Sequence, residues 1–241
     1  MPEGRKRVAH VKAGGYSTDH LIQSLDDRGL LRHMGVPDKF IAHAIGLSRE
    51  PMDGLIEEWL EGLPYIYRPQ DDENDENPDL YGVGLILYGP GGARKTTTAA
   101  AVLLRVIRMG IRNSDPSLRN FTWHGWCMGY FSDWQSVSEN VRLAAGGDAA
   151  AQEQSRGTAK RMAASSHPDI AGNFLVVDDI SRERSTEFNS GELHRLLRDR
   201  NVRGLPTILT TNHYPKEWED VYGDVLGAFM DRSFVPVEFE G

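Results

Sequence analysis

The chain has 241 residues, 35 of them acidic and 27 basic, which gives a formal net charge of −8. This length suits one α/β domain with a helical appendage, and the negative charge argues against a protein that coats nucleic acid by bulk electrostatic attraction. Cys127 is the only cysteine, so an intramolecular disulfide and a cysteine-rich zinc site are excluded. No apolar stretch reaches the roughly twenty residues that cross a bilayer, and no signal peptide is evident, so we expect a cytoplasmic protein.

Residues 1–70 are predicted to be a basic arm followed by a helical segment that binds a partner. Basic residues and glycines fill the first dozen positions, which is typical of a mobile arm. In a helix predicted after Pro51, apolar residues recur at helical spacing and form one stripe. The stripe consists of Met52, Leu55, Ile56, Trp59 and Leu60. Such a stripe packs on the protein's own core more often than on a partner, and a shared role stays open.

Dense negative charge and a proline at residues 71–79 predict an acidic linker or loop over residues 71–80. Beyond it, residues 81–241 alternate apolar runs of strand length with helical patterns. This alternation predicts an α/β core with a mainly parallel five-stranded sheet flanked by helices. The predicted strands are Val83–Leu87, Cys127–Phe131, Phe174–Val177, Thr207–Leu209 and Phe234–Phe239. Between the second and third strands, a long helical region is predicted from a capping box at Ser132–Gln135 to the stretch before Pro168.

A glycine-rich loop follows the first predicted strand and precedes a helix-forming segment. It consists of Gly89, Pro90, Gly91, Gly92, Ala93, Arg94, Lys95 and Thr96, with Thr97 next. Phosphate binding needs the order strand, loop and helix, because backbone N–H groups and a helix N-terminus wrap the phosphates. Lys95 would neutralise the outer phosphates and the Thr96 hydroxyl would ligate Mg²⁺. We therefore predict that residues 89–97 bind ATP with Mg²⁺, and their position after a buried strand argues against an ordinary glycine-rich turn.

Arg94 breaks the phosphate-loop pattern G-x-x-x-x-G-K-[ST], which expects glycine at this position. If the position requires a positive φ, a residue with a Cβ costs about 1–2 kcal/mol there. A second alternative is that Arg94 adds a guanidinium near the phosphates or a neighbouring subunit. A third is an inactive site. These alternatives stay open, and with them the turnover of the predicted ATPase.

Two carboxylates end another apolar strand, the run Asn173–Asp179. Asp178 would hold Mg²⁺, and Asp179 would orient or deprotonate the attacking water. Asn212 follows a further buried strand and is expected to sense the γ-phosphate, with capping of the next turn as the alternative. Arg232 is predicted to be an arginine finger supplied in trans, with a surface salt bridge as the alternative. Catalytic roles are thus assigned to Asp179, Asn212 and Arg232.

Together these motifs resemble the DnaC/DnaI-type helicase loaders of bacteria and phages and the related IstB-like transposition ATPases. The matching pieces are GVP at residues 35–37, GPGGARKT, LVVDD, LPTILTTN, and MDR followed by VEFEG. The resemblance implies an AAA+ core without a large C-terminal lid and ATP-dependent assembly into an open spiral. It also implies single-stranded DNA along the inner surface and an N-terminal segment that grips a hexameric DnaB-type helicase. Arg94 departs from the family pattern.

Basic residues near the acid pair are the candidates for contacts with single-stranded DNA. They are Arg156, Lys160, Arg161, Arg182 and Arg184. A second basic cluster is predicted to form a face between subunits and consists of Arg195, Arg198, Arg200 and Arg203. The leading functional prediction is an ATP-dependent replicative helicase loader. The alternatives are a transposition helper ATPase and a non-hydrolysing ATP-binding adaptor.

Overall fold

The computed structural model describes residues 26–66, 82–112, 129–153, 174–181 and 187–241. Its helices are α1 (Asp27–His33), α2 (Asp38–Leu47), α3 (Gly54–Ile66), α4 (Lys95–Arg112), α5 (Trp134–Ala145), α6 (Glu187–Val202), α7 (Trp218–Tyr222) and α8 (Asp224–Ser233). Its strands are β1 (Gly84–Tyr88), β2 (Gly129–Asp133), β3 (Phe174–Asp178), β4 (Thr207–Thr211) and β5 (Phe234–Glu238). Within these ranges, no helix has the length and apolar character that spanning a membrane requires. The predicted linker at residues 71–80 lies outside them, so the division into domains stays a prediction.

The five strands form one sheet in the order β2-β3-β4-β1-β5, and every neighbouring pair is parallel. In β4, Ile208 pairs with Leu85 of β1 on one side and with Val176 of β3 on the other. Parallel strands need helical crossovers, which cover both faces and explain why the central strands read as continuous apolar runs. The carboxyl ends of β1, β3 and β4 therefore meet at one edge. The predicted fold class is confirmed, and no large helical lid follows β5 in the described residues.

Helices α1 to α4 cover one face of the sheet and share a single hydrophobic core with it. That core includes Leu30, Ile41, Ile56, Leu63, Leu85, Leu103, Ile107, Phe174, Val176 and Ile208. The predicted stripe on α3 lies in this core, since Ile56, Trp59 and Leu60 are buried, whereas Leu55 is 46% exposed. The Trp59 indole also donates a hydrogen bond to the Val83 carbonyl oxygen at 3.1 Å. The interpretation that the stripe packs on the protein's own core is confirmed.

Two ion pairs fasten the N-terminal helices to α4. The guanidinium of Arg105 donates two hydrogen bonds to the Glu57 carboxylate on α3, at 2.6 and 2.7 Å. Arg108, one turn further along α4, pairs with Asp27 at the start of α1. Planar two-point pairing of this kind fixes orientation as well as distance. Because α4 begins at the phosphate loop, the N-terminal helices are attached directly to the element that carries that loop.

Helices α6, α7 and α8 cover the other face of the sheet. Their core includes Ile86, Leu175, Val177, Leu193, Leu197, Leu209, Trp218, Leu226 and Met230. Arg200 of α6 also lies inside this layer with no exposed surface. It donates hydrogen bonds to the Thr207 hydroxyl at 2.8 Å and to the Pro206 carbonyl at 3.1 Å. Burial lowers the pKa of Arg200 to about 9, which leaves it charged at neutral pH.

The assignment of Arg200 to a surface between subunits is therefore wrong. Hydrogen-bond acceptors at the start of β4 satisfy its guanidinium, so a charged residue is tolerated in the core. In the same predicted cluster, Arg195, Arg198 and Arg203 are exposed. Arg195 pairs with Glu192 and Arg203 with Asp199 on the same helix. The role of these three as a contact face stays a prediction.

The N-cap of helix α5 lies one residue later than Ser132, the N-cap of the predicted capping box. The Asp133 carboxylate accepts from the Ser136 backbone N–H at 3.2 Å and from its hydroxyl at 2.6 Å. Asp133 is therefore the N-cap, and β2 extends through Ser132 because that residue pairs with β3. The helix ends at Ala145 before a turn in which Gly147 has φ 92°. The predicted long helical region is thus interrupted, and its part from residue 154 to Pro168 lies outside the described residues.

Candidate nucleotide-binding site

The phosphate loop joins the end of β1 to the start of α4 at the carboxyl edge of the sheet. Gly89 begins the loop with φ 132°, and a Cβ here would overlap the carbonyl oxygen of Phe239. Phe239 follows β5 and is held there because its N–H donates to the Tyr88 carbonyl at 2.8 Å. Glycine is therefore required at the base of the loop. The free N–H groups of the first turn of α4 face this edge, which is how a helix N-terminus attracts anions.

Arg94 occupies the left-handed region with φ 62°. The position that is usually glycine therefore requires a positive φ, which is the condition under which the sequence predicts a cost for Arg94. The Arg94 carbonyl accepts from the Thr98 N–H at 2.9 Å, so α4 starts normally despite the substitution. The Arg94 side chain is exposed. The substitution therefore leaves the start of α4 intact and adds an exposed side chain to the loop.

Lys95 closes the loop from inside. Its ammonium group donates to the carbonyl oxygens of Gly89 and Pro90, both at 2.7 Å, and to Asn212 Oδ1 at 2.9 Å. The residue is 7% exposed. Burial lowers the pKa of Lys95 below its usual value, and neighbouring carboxylates offset part of this effect. These three acceptors satisfy the three donors of the ammonium group, which allows a charged lysine to be buried inside the loop.

Asp178 ends β3 as a buried carboxylate, 8% exposed. It accepts a hydrogen bond from the Thr210 hydroxyl at 2.7 Å and another from the side chain of Thr96. Burial raises the pKa of Asp178 above the usual carboxyl range, and these two hydrogen bonds lower it in part. The structure therefore brings together the two residues that were predicted to hold the metal. A hydroxyl and a carboxylate are oxygen ligands of the type that Mg²⁺ takes, so the donor set fits this ion.

Asp179 leaves the strand with a left-handed backbone, φ 55°. Its N–H donates to Thr210 Oγ1 at 2.8 Å, and its carboxylate accepts from Ser181 Oγ at 2.9 Å. Ser181 Oγ in turn accepts from the backbone N–H of Asn212 at 3.2 Å. The second acid and the predicted sensor residue are thus joined through one serine.

A cavity of about 340 Å³ lies between the loop and these strand ends. Its walls are formed by Phe40, residues 91–97, Asp179 and residues 210–212. This volume is within the usual range for small-molecule sites. The cavity therefore unites most of the predicted nucleotide-binding residues with one predicted catalytic acid and the predicted sensor.

Four residues of the site were missed at the level of sequence: Phe40, Ser181, Thr210 and Thr211. The polar ending of an apolar strand, Thr210-Thr211-Asn212, was the available signal for Thr210. Ser181 carried a weaker signal, since it closely follows the acid pair. Phe40 comes from α2, and nothing in its sequence neighbourhood connects it with a loop some fifty positions away.

Arg232 is not among the described residues that line this cavity. It lies near the end of α8, is exposed, and donates from Nε to the Ala228 carbonyl at 3.0 Å. A role in trans remains a prediction. The DNA-contact candidates lie outside the described residues, and they are Arg156, Lys160, Arg161, Arg182 and Arg184.

No protein-family model matches the chain. A putative ATP-binding protein of an insertion sequence from Mycobacterium tuberculosis is 27% identical over 153 residues, which cover 63% of this chain and 50% of that protein. The chain thus spans about half the length of this curated relative.

Two solved structures align with this chain. The crystal structure of the DnaC helicase loader aligns with a TM-score of 0.53 at 15% identity, covering 85% of this chain and 100% of that one. The crystal structure of DnaI aligns with a TM-score of 0.48 at 15% identity, covering 90% and 95%.

The sheet order and the loop between β1 and α4 give the chain the AAA+ P-loop fold class that the sequence predicts, and the DnaC helicase loader is similar to it in fold. The resemblance to helicase loaders and insertion-sequence ATP-binding proteins that the motifs predicted is confirmed.

Proposed function

We propose that this protein is an ATP-dependent loader of a replicative, DnaB-type helicase, and that it assembles with the helicase and single-stranded DNA. The observation that carries the proposal is the 340 Å³ cavity between the phosphate loop and the acid pair, in a chain whose fold is similar to that of DnaC. ATP would bind with its phosphates along residues 89–97. Lys95 would exchange its carbonyl partners for phosphate oxygens, and Thr96 and Asp178 would hold Mg²⁺.

Hydrolysis in this proposal depends on residues that surround the terminal phosphate. Bound Mg²⁺ would offset the charge that develops on the phosphates. Asp179 would orient the attacking water, and Asn212 would report the state of the γ-phosphate to β4. Arg232 of a neighbouring subunit would complete the site in the assembled oligomer. Residues 1–70 would contact the helicase, and the ion pairs of α1 and α3 with α4 would link that contact to the phosphate loop.

The test combines nucleotide binding with helicase loading. Isothermal titration should detect ATP·Mg²⁺ binding to the full chain, and Lys95→Ala should abolish it because the buried ammonium is lost. Lys216→Ala, which removes an exposed lysine away from the cavity, is the matched control and should bind as the unaltered chain does. ATP should then stimulate transfer of a DnaB-type hexamer onto protein-coated single-stranded DNA. Binding of ATP without any effect on a helicase would contradict the loader function.

A transposition helper ATPase is a second candidate, favoured by the likeness to an insertion-sequence protein. Both candidates use the same ATP site, so only the partner separates them. Affinity capture with the full chain in the presence of ATP should recover a helicase. Recovery of a transposase instead would favour the helper.

A non-hydrolysing adaptor is a third candidate, and the left-handed Arg94 is the observation that favours it. ATPase rates of the unaltered chain and of Asp179→Asn, measured with single-stranded DNA and helicase, separate this candidate from the others. A higher rate in the unaltered chain supports the loader. Equal baseline rates in both proteins would identify the adaptor.

A further inference from the structure

The hydroxyl of Thr210 lies between the two carboxylate residues of the site. Thr210 is 2% exposed and follows the last residue of β4 that pairs with β3. Its Oγ1 is 2.7 Å from Asp178 Oδ1 and 2.8 Å from the backbone nitrogen of Asp179. One buried hydroxyl therefore contacts both acids, which come from a different strand 31 and 32 positions earlier.

The direction of these hydrogen bonds follows from their chemistry. The N–H of Asp179 can only donate, so Thr210 Oγ1 accepts from it. The single hydroxyl proton is then directed to Asp178 Oδ1. This hydrogen bond holds Oδ1 of Asp178 in place, and the same carboxylate also accepts from the Thr96 side chain.

The backbone of Thr210 fixes the same turn. Its carbonyl oxygen accepts from the N–H of Ile180 at 3.0 Å. Asp179, between these two attachments, has the left-handed φ of 55° that non-glycine residues rarely adopt. The side chain and the main chain of Thr210 thus hold three consecutive residues, Asp178 to Ile180.

We propose that Thr210 is a positioning residue that aims Asp178 at Mg²⁺ and Asp179 at the attacking water. Because Asn212 follows two positions later, directly after the end of β4, and is joined to Asp179 through Ser181, the acids and the sensor residue are held as one unit. The proposal rests on the proposed ATP·Mg²⁺ site. In this proposal Thr210 hydrogen-bonds to a metal ligand and orients it. Loss of such a hydrogen-bond partner typically lowers metal affinity or activity about 10–100-fold.

The chain offers a matched control on the same strand. Thr207 is also 2% exposed, and its hydroxyl also contacts a charged group, the guanidinium of Arg200. Thr207→Val removes a buried hydroxyl just as Thr210→Val does, but at the opposite end of β4 from the cavity. General effects of losing a buried hydroxyl are therefore common to both variants.

The experiment measures ATP affinity with Mg²⁺ and with EDTA, using the full chain. In Thr210→Val we expect the Mg²⁺-dependent gain in affinity to fall about tenfold or more, while affinity in EDTA stays within about twofold of the unaltered chain. Thr210→Ser, which keeps the hydroxyl, should restore the gain, and Thr207→Val should retain it. Thr210→Ala is the second variant if the valine does not fold. Where turnover is measurable, kcat should fall more than KM rises.

Two results would overturn the inference. One is an unchanged Mg²⁺-dependent gain in both Thr210→Val and Thr210→Ala. The other is an equal loss in Thr207→Val, which would mean that sheet packing explains the effect. An unaltered chain that binds no ATP at all would instead refute the proposed function, and the positioning role with it, so the two failures are distinguishable.

Discussion

Arg94 combines two properties that substitutions can separate. Its backbone is in the left-handed region with φ 62°. Its guanidinium makes no hydrogen bond or ion pair with another residue in the described part of the chain. Arg94→Gly removes both the Cβ strain and the guanidinium. Arg94→Ala removes the guanidinium and keeps the strain. The comparison of the two variants therefore measures the strain, and the comparison of Arg94→Ala with the unaltered chain measures the effect of the guanidinium.

The expected magnitudes follow from the geometry. A Cβ in the left-handed region costs about 1–2 kcal/mol, and the greater freedom of glycine in the unfolded chain costs about 0.4–1 kcal/mol. Arg94→Gly should therefore raise the free energy of unfolding by about 0.8 kcal/mol, the difference between the midpoints of these two ranges. Arg94→Ala should leave it within about 0.5 kcal/mol, because only an exposed side chain is lost. Both should weaken ATP binding about tenfold or more, since a charge-assisted contact contributes about 1.5–3 kcal/mol.

Urea denaturation of the nucleotide-free variants measures the free energy of unfolding. Titration with ATP at low and high salt measures the affinity for ATP. The loss of affinity should be smaller at high salt, because screening weakens the contribution of an exposed charge. If Arg94→Gly is no more stable than Arg94→Ala, the strain argument is refuted. Unchanged ATP affinity in both variants would refute a role for the guanidinium.

Three other substitutions test buried or paired charges. Burial raises the pKa of Asp178, so folding stability decreases as pH rises from the ordinary carboxyl pKa through the raised value. Asp178→Asn should flatten this decrease and raise Tm at neutral pH without nucleotide. Thermal scans over a pH series measure this, and a variant whose Tm falls with pH as steeply as that of the unaltered chain would contradict it. Arg200→Ala should destabilise the protein by about 3 kcal/mol in urea, with the exposed Arg198→Ala within about 0.5 kcal/mol. Glu57→Gln should cost about 1 kcal/mol by weakening the pair with Arg105, and less at high salt; a salt-independent cost would point to packing.

The sheet was predictable because every strand carries an apolar run bounded by polar or turn residues. The strands extend beyond the predicted runs where a polar residue pairs through its backbone, as Ser132 and Asp133 do at the end of β2. Hydrophobic patterning does not report backbone pairing, so these ends could not be read from it. Arg200 shows the converse limit. A charged residue is expected at the surface, and acceptors such as the Pro206 carbonyl and the Thr207 hydroxyl allow its burial.

The site was predictable as far as its residues belong to local motifs. The loop at residues 89–97 and the pair of Asp178 and Asp179 each follow a strand, and parallel strands place such ends together. Phe40 and Thr210 could not be placed in this way, because their relation to the site depends on how α2 packs and on the register between β3 and β4.

The phosphate loop has unequal freedom along its length. At its base, Gly89 is pressed against Phe239, and any larger residue would push the end of β5 away. At its tip, Gly91 and Gly92 have open space around the position of a Cβ. Adjustment to an incoming ligand therefore falls to the tip, while the base stays in place with the C-terminal strand. Gly241 lies beside Pro90, so a bulky group introduced at Gly241 would press on this fixed base of the loop rather than on its adjustable tip.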